Sequence, residues 1–122
     1  MILVDTSIWV GHFRSGDPGL EALPTARQIL VHSFVIGELA LGAFRDRSIL
    51  GDLGNLPSAI MATDSEVRLL IEREALFGHG IGYVDAHLLA SARLTPGASL
   101  WTRDACLNAV ASQWGLAAKV SG

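Results

Sequence analysis

Short apolar runs, each closed by residues that cap helices and then followed by apolar positions at helical spacing, constrain this chain more than any other feature. Ile2-Leu-Val4 ends at Asp5-Thr6-Ser7, after which Trp9, Val10 and Phe13 recur at near-helical spacing until Ser15-Gly16-Asp17-Pro18 breaks the pattern. Residues 19–27 read as a short helix interrupted at Pro24, 29–31 as a second strand, 33–45 as a helix with a weaker helical stretch to Leu56, and 57–61 as a third strand. Thr63-Asp-Ser-Glu66 spells a capping box, and Val67, Leu70, Ile71 and Leu76 carry that helix towards Gly78. Three glycines within Gly78-His-Gly-Ile-Gly82 require a loop. Residues 83–94 form the next helix, 98–101 a fourth strand, 103–114 a helix and 116–120 a fifth strand. Strands separated by helices imply right-handed crossovers, hence a three-layer α/β fold with a parallel sheet covered on both faces.

At 122 residues, with no repeat, charge block or low-complexity run to divide it, the chain is expected to be one domain over residues 1–122. Half of the residues are hydrophobic and the formal charge is only −3, which excludes intrinsic disorder. A sequence pI of about 5.7 argues against a broad basic surface of the kind that binds nucleic acid by charge alone. Cys106 is the single cysteine, so no intrachain disulfide is possible, and a reducing cytoplasm is the expected location. Asp5 stands where the apolar core of a secretion signal would run. No stretch reaches the roughly 18 uninterrupted apolar residues of a membrane span. The charged fraction, 17%, is below the usual ~25%, so the apolar excess belongs either to a Leu- and Ala-rich core or to a surface covered by a partner.

Four acidic residues stand out against this background. Asp5 follows the first strand and Asp104 the fourth, at the carboxyl edge where open α/β sheets bind ligands, and the two are neighbours if strand order runs outward from the first strand in both directions. Glu38 is the only charge between Ser33 and Phe44, with no Arg or Lys at i±3 or i±4, and such a helix is expected to bury much of the surface around it. Asp85 lies in the first turn of the helix after the glycine loop. Singly, each has a structural explanation: Asp5 and Asp104 as helix caps, Asp85 as a partner of the helix dipole. Brought together without a cation, the four would raise one another's pKa values, and a divalent ion removes that conflict. An all-oxygen donor set selects Mg²⁺ or Mn²⁺ over Zn²⁺. His12, His32, His79 and His87 show no metal-ligand spacing, there is no GxxxxGK[ST] phosphate loop, and Ser7 lacks the context of a nucleophile elbow.

Val-Asp5-Thr-Ser, Val-Ile-Gly-Glu38-Leu, Gly-Tyr-Val-Asp85-Ala-His and Leu-Trp-Thr-Arg-Asp104, in that order, resemble the PIN domain, most closely the VapC-type ribonuclease toxins of bacterial toxin–antitoxin pairs, over nearly the whole chain. The resemblance implies a five-stranded parallel sheet of order 3-2-1-4-5 with the acids gathered on Mg²⁺, or Mn²⁺ in its place, at the carboxyl edge. It implies a metal-dependent endoribonuclease that leaves a 5′-phosphate and a 3′-hydroxyl. In that chemistry Asp5, Asp85 and Asp104 hold the metal, and Glu38 orients or deprotonates the attacking water. Thr102 and Arg103 become candidate substrate contacts. The resemblance also implies a homodimer and a VapB-type antitoxin, for which Trp9, Phe13, Leu20 and Leu23 are the candidate apolar groove. Setting the four acids aside leaves eight acids against nine basic residues, so an acidic pI no longer excludes an RNA substrate.

Two other readings make distinct demands. A phosphorelay receiver domain needs an acidic pair after the first strand and a phosphoacceptor Asp after the third, where this chain has one acid and none. A catalytically silent PIN domain, binding RNA or protein without cutting, is the alternative within the same fold.

Overall fold

In the computed structural model, which describes residues 1–21 and 28–120, three short parallel strands lie in the order β2-β1-β3. The strands are β1 (Ile2–Val4), β2 (Ile29–Leu30) and β3 (Ser99–Trp101). Leu3 stands opposite Leu30 on one side and Leu100 on the other. Consecutive strand side chains point to opposite faces, and Leu3 and Val4 are both fully buried, so β1 is covered above and below. Helices supply that cover: α1 (Thr6–Ser15), α2 (Pro18–Glu21), α3 (Ser33–Ala40), α4 (Ser48–Gly54), α5 (Asp64–Arg73), α6 (Tyr83–Leu94) and α7 (Ala105–Gln113). Packing joins α1 to α3, α3 to α4 and α5 to α6, and places α6 and α7 against β3. The most enclosed of them is α6, in which every residue from Ala86 to Ala92 is buried.

The expected five strands are not all formed. Beyond β2 and β3 the sheet gains one parallel bridge each, Val31 with Ser58 and Leu100 with Ala117. On the first flank, Val31 N–H donates to the Pro57 carbonyl and Ala59 N–H to Val31, but the next donor, Ile60 N–H, turns to Thr95 Oγ1 at 2.8 Å. That amide points away from β2, so the Thr95 hydroxyl satisfies the outer edge of this short segment, and the ladder itself ends at the Ala59 amide. On the second flank, β3 ends at Trp101 because Thr102 and Asp104 form a turn, in which Asp104 N–H donates to Thr102 Oγ1, and little strand remains to pair.

Two helices are shorter than their apolar spacing suggests. α3 stops at Ala40 instead of continuing to Arg45: the Arg47 guanidinium donates to the Ala40 and Gly42 carbonyls, each at 2.6 Å, where amides of a continuing helix would have been. α5 begins on the expected capping box, with Thr63 and Glu66 each accepting the other's amide, and ends at Arg73 ahead of Ala75 with φ of 49°. Asp17, read from sequence only as part of a breaker, caps α2 instead: its Oδ1 accepts the Gly19 and Leu20 amides, with Pro18 in the first helical position.

Candidate metal-dependent active site

Asp5 leaves β1 through one further sheet hydrogen bond, from its amide to the Trp101 carbonyl at 2.9 Å. The side chain is buried, and three donors orient it: Thr6 N–H to Oδ1 at 2.7 Å, with Ser7 Oγ at 2.9 Å and Thr102 Oγ1 at 2.7 Å to Oδ2. Thr102, itself buried, accepts the Asp104 amide at 3.0 Å and so joins Asp5 to Asp104. Asp104 caps α7 by accepting Leu107 N–H at 3.0 Å, while its side chain faces solvent. The capping role and a place at the sheet edge therefore coexist in one residue.

Asp85 comes from the first turn of α6, half-buried, with Oδ2 accepting the Gly82 amide at 3.0 Å. Burial raises its pKa above the ordinary carboxylate value, the Gly82 amide opposes that rise, and the charges of Asp5, Asp104 and Glu38 add to it. Residues separated by up to 99 positions in sequence thus act on one carboxyl. Glu38 departs from expectation. The apolar helix does not bury it, because α3 lies at the surface and exposes Ser33, Gly37 and Glu38 while turning Val35 and Leu39 inward. Nor does a cation among the described residues answer it: its partner is Thr6, whose Oγ1 donates to Glu38 Oε1 at 2.8 Å. It lies in the last turn of α3, where the helix dipole disfavours a negative charge.

None of the four acids forms an ion pair among the described residues. Their chemistry fits a hard divalent cation: oxygen donors only, one carboxyl strained by three like charges, and hydroxyl groups ordering the buried member. No three His, Cys, Asp or Glu side chains among the described residues stand close enough together to coordinate an ion, so what the fold provides is a shared negative field with oriented donors. Sequence reasoning missed Thr6 and Ser7 as parts of this network. Their signal was their place directly after Asp5, where hydroxyl side chains also serve as caps.

Arg103 has a commitment that the sequence did not reveal. Its guanidinium pairs with buried Asp17. Although burial alone would raise the Asp17 pKa, the Leu20 amide, the Arg103 guanidinium and the Gly19 amide together hold it below the ordinary value. Of the histidines, His32 caps α3 by accepting Phe34 N–H at Nδ1, and His87 contacts Asp64 through Nε2 at 3.1 Å; both are buried and distinct from the four-acid site.

Beside Glu38 opens a groove of about 420 Å³ lined by Val10, Phe13, Arg14, Glu38, Leu39, Gly42, Ala43 and Phe44. Phe13 and Phe44 meet across it with ring centroids 5.6 Å apart, and Arg47 lies over Phe44. Of the expected groove residues, Phe13 is present, whereas Trp9 and Leu20 are buried in the core because their helices turn those positions towards the sheet. Leu23 lies outside the described residues.

Residues 2–113 match the PIN domain family model. The chain is 45% identical over 118 residues to the Ribonuclease VapC32 of two Mycobacterium tuberculosis strains, covering 96% of this chain and 95% of the relative. Among solved structures it resembles FitAcB from Neisseria gonorrhoeae, with a TM-score of 0.65 and 20% identity over 92% of this chain and 94% of that one, a likeness of fold. A family match over most of the chain, on top of four acids acting on one site at the edge of a parallel sheet, places this chain in the PIN-domain family, among its VapC-type members.

Proposed function

We propose that this protein is a metal-dependent endoribonuclease toxin, hydrolysing RNA phosphodiesters at the site of Asp5, Glu38, Asp85 and Asp104. The observation that carries this reading is the gathering of four carboxyls with no ion pair among the described residues, Asp5 and Asp104 joined through Thr102, and Asp85 raised by burial first and then by Asp5, Asp104 and Glu38. Similarity to Ribonuclease VapC32 over almost the full length of both chains supports RNA as the substrate.

Asp5, Asp85 and Asp104, which do not converge in a coordinating group in this structure, would hold Mg²⁺ once drawn together by the ion, with Mn²⁺ an acceptable substitute. When bound, the ion supplies charge neutralisation at the scissile phosphate and acidifies a coordinated water. The rest of the work falls to this chain's own groups. Asp5, ordered by Thr6, Ser7 and Thr102, keeps one carboxylate fixed at the sheet edge. Glu38, exposed and bonded to the Thr6 hydroxyl, would accept a proton from the attacking water. Thr102 and Arg103 flank the substrate path, Arg103 with part of its guanidinium engaged by Asp17.

The groove beside Glu38 suits an apolar segment of a VapB-type antitoxin, whose basic side chain could reach the acids from Phe13 and Phe44. Exposed Leu69 and Leu94 border a second hollow between α5 and α6, with Leu70 and Ala90 in its wall, which supports self-association as a homodimer. No helix among the described residues is long and apolar enough to cross a membrane. The decisive experiment incubates the purified protein with structured RNA and Mg²⁺ or Mn²⁺. Cleavage should stop with EDTA and be lost in Asp5→Asn, and cleavage that persists in EDTA would overturn the proposal.

A further inference from the structure

We infer that Thr6 is a positioning residue for Glu38, tying the carboxylate that receives the water's proton to the one fixed at the sheet edge. The inference rests on the ribonuclease reading above and deepens it.

Among the described residues, nothing else restrains Glu38. Its side chain is exposed, so packing does not hold it; it has no ion pair; and its hydrogen bond from Thr6 Oγ1, at 2.8 Å, is its single side-chain contact of that kind among the described residues. An ionised carboxylate only accepts, so the Thr hydroxyl donates. The position of the donor is equally specific. Thr6 is the first residue of α1, and its amide donates to Asp5 Oδ1 at 2.7 Å. Two donors of one residue therefore bind two carboxylates that are 33 positions apart in sequence and reach the site on different elements, β1 and α3. Branching at Cβ leaves a helical Thr two common χ1 rotamers, so few hydroxyl directions compete with the one that meets Glu38. A general base must be held within hydrogen-bond reach of the water it deprotonates, and a free Glu on a helix surface would spend most of its time elsewhere.

The test compares the full chain with Thr6→Val, which keeps the branched shape and loses the donor, Thr6→Ser, which keeps the donor, Glu38→Ala, and the Thr6→Val/Glu38→Ala pair. With Mg²⁺ and structured RNA, kcat of Thr6→Val should fall about tenfold or more while KM changes by less than about threefold. Thr6→Ser should stay within about threefold of the parent, and Thr6→Val should cost nothing further once Glu38 is Ala. A second readout needs no activity: NMR couplings of the Glu38 methylene groups should report one rotamer in the parent and Thr6→Ser, and averaging in Thr6→Val. Full activity in Thr6→Val, multiplicative losses in the pair, or an unchanged Glu38 rotamer would overturn the inference. Thr6→Ala replaces Thr6→Val if the latter does not fold. A parent that cuts no RNA with either metal would sink the ribonuclease reading alone, leaving the NMR comparison to decide on Thr6.

Discussion

At the residue scale, Asp85 shows what concentrating negative charge costs the folded chain. Burial first, and then Asp5, Asp104 and Glu38, disfavour its ionised form. A carboxyl whose folded pKa is raised contributes a penalty at neutral pH that disappears as pH falls through the folded value. Asp85→Asn should therefore raise the melting temperature of the protein in EDTA at pH 7 while abolishing cleavage. Adding Mg²⁺ should stabilise the parent and have little effect on the variant, as followed by differential scanning fluorimetry. Arg103→Ala leaves buried Asp17 without its guanidinium and should cost about 1–3 kcal/mol in urea unfolding, with a smaller effect on RNA binding. The acids themselves were legible because each sits beside a helix start or alone in an apolar run. Glu38 is exposed despite its apolar neighbours, because an apolar sequence does not say which side of a helix faces the sheet. The sequence marks Arg103 as a candidate substrate contact and does not show its pairing with Asp17, because that partner lies 86 residues away.

At the element scale, local signals succeeded where the deciding interactions were local. The Thr63 and Glu66 capping box is an exchange of hydrogen bonds across three residues, and it formed as written. Thr63→Ala should cost about 1 kcal/mol by denaturant titration and leave cleavage unchanged, since this cap lies outside the four-acid site. The failures fell where a distant group intervened. Thr95 holds the outward-facing Ile60 amide where the third strand pairs with β2 through a single bridge. Arg47 takes the carbonyls at the end of α3. Neither contact leaves a trace in the periodicity of the segment it meets, because each is made by a side chain belonging to another segment.

At the scale of the whole molecule, pH should act on stability through the buried histidine beneath α3. Burial, and secondarily the charge of His87, lowers the His32 pKa to about 4 from 6.5. Its Nδ1 accepts Phe34 N–H, so protonation there would also remove the helix cap. Below pH 6.5 the unfolded chain binds a proton that the folded chain refuses until about pH 4, so stability falls as pH drops through that window. At about 1.4 kcal/mol per pKa unit, the loss is up to roughly 3 kcal/mol, read as the difference in urea unfolding between pH 7 and pH 4.5. His32→Asn, which keeps an acceptor at the cap, should flatten that slope. Asp17 adds to the loss at lower pH, since a carboxyl held below its ordinary value contributes stability that disappears as it protonates. The sequence by itself determined the α/β alternation, the helix caps and the four acids, because alternation of apolar runs and the chemistry of a carboxylate are properties of short segments. Only the tertiary structure decided that the sheet keeps three full strands, that Glu38 is exposed and held by Thr6, and that Trp9 and Leu20 belong to the core. Those outcomes depend on which distant donors and surfaces meet, and folding, not local pattern, sets those meetings.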